Sequence, residues 1–294
     1  MLLKGKNIVI TGSGRGIGKA VAIACAKEGA NIGLMSRTLE ELNNTKQEII
    51  SLGINVKVVV KTADISKYDE VEVTFKTFFE ELGPLNGVVA NAGYSRMWAT
   101  HEFDNEKFSQ ILNTNVLGVF FTFKAAYPYM YKEDKNNKAR FIITGSEAYP
   151  NAPPKFTAYA ASKYAIVGMQ KAMALEYKRE NITFNMVLPT QVDTRALRGK
   201  KAGDGNKPAH VLNPWDLNEF YIFLLSSDAN RVDNALIFSY DIFEAKKLLT
   251  EAPIGKKENW DVFKGYLEEK APKVYENVKD VGKFIDFIIS RSNK

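Results

Sequence analysis

The chain has 294 residues, 45% of them apolar and 25% charged, which is ordinary for a globular protein and enough to bury a sizeable core. A net charge of +6 raises nucleic acid as a partner, but the cations are spread along the chain without an arginine-aromatic tract or a recognised nucleic-acid motif, so none is expected. No apolar run reaches the roughly 18 residues of a membrane span, Met1 to Lys6 leave no room for a signal peptide, and the lone Cys25 excludes an intramolecular disulfide, which together point to a cytoplasmic protein without membrane insertion.

Apolar strand-like runs begin near residues 7, 31, 55, 86, 139, 182 and 234 and alternate with helical stretches. That rhythm predicts an α/β fold, a doubly wound parallel sheet of about seven strands with helices on both faces. The first run, Asn7 to Ile10, enters the turn Thr11-Gly12-Ser13-Gly14-Arg15-Gly16-Ile17-Gly18. A P-loop is excluded, because Ser13 stands where its first glycine is required and Ala20 follows Lys19. The strict Gly-x-Gly-x-x-Gly fingerprint fails too, since its third glycine position holds Ile17, Lys19 or Val21, depending on the frame. What remains is Gly12-x-x-x-Gly16-x-Gly18, opening an apolar helix that ends at Gly29. Glycines permit a tight turn and close backbone approach, and the helix N-terminus offers free N–H groups and positive potential to a pyrophosphate. A glycine-rich turn without a ligand is the alternative.

The second run ends in Ser36 and Arg37. An acidic residue there would accept hydrogen bonds from a ribose 2′-hydroxyl and repel a 2′-phosphate. With Ser36 in that place and two guanidinium groups at hand, Arg37 and Arg15, the expected cofactor is NADP(H). Packing of Arg37 on the adenine face would weaken that preference.

Four tyrosines stand four residues before a lysine, Tyr131, Tyr159, Tyr266 and Tyr275, but only Tyr159 has a serine thirteen residues upstream at the end of an apolar run, Ser146. Tyr159 and Lys163 lie one turn apart on a predicted helix from Tyr159 to Tyr177, so both face one cleft. A free phenol, with a pKa of about 10, is a poor base at neutral pH, and the Lys163 ammonium together with an oxidised nicotinamide is expected to lower it. Tyr159 is thus the candidate acid and base, and Ser146 the group that holds the substrate oxygen. His101 and His210 lack metal-ligand spacing, and no metal is expected.

Over residues 5 to about 240 the chain resembles the short-chain dehydrogenase/reductases. Asp64 matches the aspartate that hydrogen-bonds the adenine in that family, with Ile65 adding a backbone contact, and Asn91-Ala92-Gly93 resembles the signature that shapes the cofactor floor. Asn115 matches the helix asparagine of the catalytic tetrad, completed by Ser146, Tyr159 and Lys163. The resemblance further implies that Lys163 binds the nicotinamide ribose and that Asn115 keeps a water in a proton relay. Pro189, Val192 and Thr194 match positions around the nicotinamide, although Thr190 replaces the family's glycine after Pro189. The implied protein is a Rossmann-type NADP(H)-dependent oxidoreductase that interconverts a carbonyl and a secondary alcohol, assembled as a homodimer or homotetramer. Two other readings stay open, an NAD-preferring alcohol or polyol dehydrogenase and a non-catalytic cofactor-sensing protein.

Tyr94, Met97, Trp98, Tyr149, Phe156, Leu197 and Trp215 are expected around the substrate, an aromatic set suited to a hydrophobic ketone, a 3-oxoacyl thioester or a cyclic alcohol. The resemblance implies that the segment from Thr194 to Lys207 lies over the substrate, and its Arg195, Arg198, Lys200, Lys201 and Lys207 against Asp204 are expected to attract an anionic substrate or carrier, or else the segment is a solvated loop. The final strand is expected from Asn234 to Tyr240, which closes a catalytic domain of residues 1–240. Residues 241–294 form a helical extension whose apolar stripe, Val274, Val278, Val281, Phe284, Ile285, Ile288 and Ile289, must pack on the core, the cleft or a subunit contact.

Overall fold

A computed structural model of the chain describes residues 1–251, 260–272, 275 and 282–292. Seven parallel strands form one sheet, β1 (Asn7–Thr11), β2 (Asn31–Ser36), β3 (Val58–Thr62), β4 (Gly87–Ala90), β5 (Ala139–Thr144), β6 (Ile182–Leu188) and β7 (Leu236–Phe238), in the order β3-β2-β1-β4-β5-β6-β7. Ile8 pairs with Ile32 on one side and Gly87 on the other, so the order reverses around β1. In a sheet of this kind ligands bind at the carboxyl edge beside that reversal.

The central strands read as continuous apolar runs because both faces are covered, and Ile8, Val9 and Ile10 have no exposed surface. One face carries α1 (Gly16–Lys27), α2 (Leu39–Ser51) and α8 (Asn218–Leu225). The other carries α3 (Tyr68–Leu82), α5 (Gly118–Ala126) and α6 (Thr157–Glu176), where Phe75, Phe78, Phe123, Phe141 and Phe184 form an aromatic core. The remaining helices are α4 (Asn105–Leu112), α7 (Arg195–Arg198), α9 (Ser239–Glu251), α10 (Trp260–Lys270) and α11 (Gly282–Ser292).

β7 is shorter than the expected run. Asn185 Oδ1 occupies the Ala235 N–H, with Asn234 in a left-handed turn at φ 60°, and the buried Ser239 hydroxyl accepts from the Thr190 N–H at 2.9 Å. The strand therefore begins at Leu236, and Tyr240 belongs to α9.

The C-terminal helices pack on the chain's own core. Phe284 of α11 lies 4.9 Å from the ring of Phe220 and 5.0 Å from that of Phe223, both on α8, and Ile285 and Ile288 are buried beside it. Arg291 donates to Glu28 at the end of α1 and pairs with Glu219, both at 2.9 Å. Val274, Val278, Val281 and the Ile289 side chain of the expected stripe lie outside the described residues. Among the described residues no helix is long and apolar enough to cross a membrane.

Candidate active site

β5 ends at Thr144, and Gly145 and Ser146 carry the chain over the carboxyl edge toward α6. Lys163, only 7% exposed, donates from Nζ to the Thr144 carbonyl at 3.0 Å and sits 5.4 Å from the centre of the Tyr159 ring. That bond uses one of three ammonium donors. Burial lowers the Lys163 pKa to about 8. Burial pushes the Tyr159 phenol up from its ordinary value, and the Ser146 hydroxyl, which interacts with it, pulls it back. In this arrangement the ammonium is turned to the Thr144 carbonyl and lies over the ring, so desolvation outweighs any lowering by Lys163, while the share of the expected lowering that rests on an oxidised nicotinamide belongs to the loaded cleft.

Asn115 sits in a π-helical turn, Asn113–Leu117, inserted between α4 and α5. Such insertions rotate a side chain out of the regular helical register. Here Asn115 accepts from the Tyr94 N–H through Oδ1 and donates through Nδ2 to the Tyr94 carbonyl and the Ser162 hydroxyl, each at 3.0 Å. Ser162 in turn donates to the Tyr159 carbonyl at 2.6 Å. Asn115 therefore ties the loop after β4 to the helix that carries Tyr159 and Lys163. The family resemblance singles out Asn115, but nothing in the sequence marks Tyr94 or Ser162 as its partners.

The glycine turn closes against the end of β4. A Cβ on Gly18 would stand 2.4 Å from the Gly12 carbonyl, and one on Gly12, at φ 66°, would stand 2.9 Å from Ala92 Cα. Asn91 Nδ2 donates to the Thr11 carbonyl at 3.0 Å, while the Thr11 hydroxyl accepts from the N–H groups of Asn91 and Ala92. A cradle of bare backbone results, of the kind a pyrophosphate needs. The Ser13 hydroxyl is fully buried and accepts from the Met35 N–H at 2.9 Å, so it faces the sheet. A cleft of about 1560 Å³ runs along this edge. Of the expected catalytic and cofactor-binding residues, all line it except Ser13, Gly18 and Asn115.

At the other end of the cleft, Asp64 accepts from the Ser66 N–H and hydroxyl and lies 3.9 Å from Arg37. Burial would raise its pKa, but those hydrogen bonds and the charges of Arg37 and Lys67 outweigh it and hold the carboxyl below its ordinary range. Arg15 does not stand free. Its Nη1 donates to both carboxylate oxygens of Glu41, at 2.8 and 3.1 Å, and Arg195 donates to the same Glu41 Oε1 at 3.1 Å. Ser36 does end β2 as expected, but the two arginines share their end of the cleft with Glu41, which α2 brings back beside it. A Cβ on Gly14 would lie 2.9 Å from Glu41 Cβ and 3.2 Å from Ser36 Oγ, so a glycine facing an acidic first helical turn is the signal that marks it.

The basic segment is also less free than its composition suggests. Arg198 donates to Asp193 at 3.0 Å and Asp204 at 2.9 Å, and Lys207 donates to the Val211 carbonyl. Lys200 lines the cleft, and the Ser95 hydroxyl donates to the Ala196 carbonyl at 2.8 Å, fixing this segment over the loop after β4. Of the expected substrate-side residues, Tyr94, Phe156 and Leu197 reach the cleft. Met97, Trp98 and Trp215 are exposed outside it, and Tyr149 packs edge-on against Tyr164 at 4.8 Å. Glu147, which the sequence did not single out, lines the cleft next to Ser146, and burial raises its carboxyl.

A family model described as short chain dehydrogenase matches residues 6–204, and the chain belongs to the short-chain dehydrogenase/reductase family of oxidoreductases, whose members bind NAD(P). It is 34% identical over 200 residues to the 3-ketodihydrosphingosine reductase of Mus musculus, an alignment covering 67% of this chain and 59% of the mouse protein. It is 31% identical over 247 residues to 2-(S)-hydroxypropyl-CoM dehydrogenase 3 of Xanthobacter autotrophicus, covering 79% of this chain and 94% of that protein. A solved short-chain type dehydrogenase/reductase from Mycobacterium marinum superposes with a TM-score of 0.70 at 31% identity, covering 80% of this chain and 94% of the other. The chain spans less than two thirds of the length of the mouse relative.

Proposed function

We propose that the protein is an NADP(H)-dependent oxidoreductase that interconverts a carbonyl and a secondary alcohol, working in the reductive direction on a hydrophobic ketone or 3-oxoacyl substrate. The observation that carries this reading is the meeting of Ser146, Tyr159 and Lys163 at one edge of the sheet, with the backbone cradle of the glycine turn beside them. A bound nicotinamide cofactor supplies the hydride. The free donors of Lys163 would hold its ribose, the cradle its pyrophosphate, Arg15 and Arg37 its 2′-phosphate, and Pro189, Val192 and Thr194 the nicotinamide end. Ser146 donates to the carbonyl oxygen and stabilises the charge that develops there, while Tyr159 donates the proton that completes the alcohol. A phenol kept protonated by burial suits the acid role of the reductive direction.

Tyr94, Phe156 and Leu197 give the substrate end an apolar wall, and the ketone named in the mouse relative supports a ketone here. Residues 1–240 contain the whole site, and 241–294 act as a stabilising extension. Exposed Leu117, Phe120, Tyr164 and Leu175 support assembly into a homodimer or homotetramer. The Glu41 carboxylate beside Arg15 is the observation that favours a second reading, an NAD-preferring dehydrogenase. The test is consumption of NADPH and of NADH against aliphatic, aromatic and 3-oxoacyl ketones, with Tyr159→Phe alongside. NADPH-driven turnover that falls by about 10³-fold in the variant is expected, and turnover unaffected by the substitution sinks the assignment of Tyr159.

A further inference from the structure

Glu41 joins two parts of the molecule that are far apart in sequence. It stands against Gly14 and Ser36, beside the end of β2, and its side chain is 22% exposed. Its carboxylate is shared by Arg15, from the cofactor turn, and Arg195, from the first residue of α7 over the cleft. The base of that segment touches the same turn, since a Cβ on Gly16 would lie 3.2 Å from Thr194 Cγ2. One anion thus divides its attraction between two cations that answer to different halves of the cleft.

We infer that Arg195 is a positioning residue that sets the discrimination between NADP(H) and NAD(H) by way of Glu41, and this rests on the reading of the cleft as an NAD(P) site. A 2′-phosphate arriving at Arg15 must compete with Glu41 for the guanidinium and meets a like charge next to it. The pull of Arg195 on Glu41 Oε1 weakens that competition. Without Arg195, the attraction of the carboxylate falls on Arg15 alone, and the phosphorylated cofactor is disfavoured. NADH carries no 2′-phosphate and does not enter the contest. The position of the segment over the substrate therefore adjusts cofactor choice at the opposite end of the cleft.

The test is a direct titration of NADPH and NADH, followed by protein fluorescence, with the wild type, Glu41→Gln, Arg195→Gln and the double variant. Arg195 is exposed and Glu41 partly so, and each keeps a polar side chain in the variants, so closely similar melting temperatures are expected across the set. Glu41→Gln should tighten NADPH about tenfold and change NADH by about twofold or less. Arg195→Gln should weaken NADPH about threefold to fivefold when Glu41 is present and leave it unchanged when Glu41 is Gln. Equal weakening of NADPH in both backgrounds would show that Arg195 meets the cofactor itself and would overturn the proposal. An NADPH-to-NADH ratio unmoved by Glu41→Gln would overturn it as well. A wild type that binds neither cofactor would overturn the NAD(P)-site reading along with this one, an outcome distinct from both.

Discussion

Lys6, at the amino edge of the sheet, donates to the Leu225 carbonyl at 2.9 Å, and Lys163, at the carboxyl edge, donates to the Thr144 carbonyl at 3.0 Å. Burial lowers each of them to about 8, helped at Lys6 by the charge of Arg140 and opposed there by Asp228. Around Lys6 the polar groups face one another: Asn7 donates to the carbonyls of Leu82 and Pro84, and the buried Arg140 donates to Thr183, the Ser226 carbonyl and Asn230. These bonds cap strand and helix ends, and their partners belong to the fold. Lys163 instead lines the open cleft beside Tyr159. A shifted pKa does not separate the two lysines; what lies in front of the ammonium does.

The sharpest way to break this comparison is to remove each lysine in turn. Lys163→Met should lower turnover about 100-fold and weaken cofactor binding, whereas Lys6→Met should leave turnover within about twofold. A similar loss of turnover from Lys6→Met, in a protein that still melts cooperatively, would end the distinction. A smaller effect is expected from Gly18→Ala, whose new methyl would meet the Gly12 carbonyl, 2.4 Å from the ideal Cβ position. The turn must shift, at a cost of about 1–3 kcal/mol in chemical denaturation, and the cradle should lose affinity for either cofactor. Unchanged stability would mean that the turn is looser than its packing indicates.

The smallest effect lies in the pH dependence of stability. Both lysines have a folded pKa of about 8, below the ordinary lysine value of about 10.5, so between those values the folded protein binds fewer protons than the unfolded chain. Stability contributed by these groups therefore rises with pH across that window and is flat below it. The melting temperature of the wild type, measured relative to Lys6→Met, should increase from about pH 8 to about pH 9.5, before the tyrosines of the unfolded chain ionise. A constant difference would show that Lys6 is not desolvated.

Spacing carried the legible part of the site. Tyr159 and Lys163 share a helix face, Ser146 follows a strand, and the glycine turn joins β1 to α1, so each signal is local and survives without knowledge of the fold. The strand rhythm gave the sheet for the same reason. Glu41 was not legible because its role comes from α2 folding back on Gly14, and Arg198 reads as a free cation until Asp193 and Asp204 close on it. The premature end of β7 depends on Ser239 reaching Thr190, 49 residues away in sequence. Likewise, the phenol's upward shift depends on the depth at which Tyr159 sits and on where Lys163 turns its ammonium.

The ion pair between Arg291 and Glu28 joins residues separated by 263 positions, and Phe284 seals the aromatic face of α8 beside it. During synthesis, α1 and α8 exist long before α11 has emerged, and for that interval Phe220 and Phe223 lack the rings that cover them. Closure of this side of the domain thus waits on a contact of long sequence separation, and the apolar face of α8 stays open to self-association until α11 has emerged. A nascent chain held back at residue 240 would present that uncovered face for as long as the pause lasts.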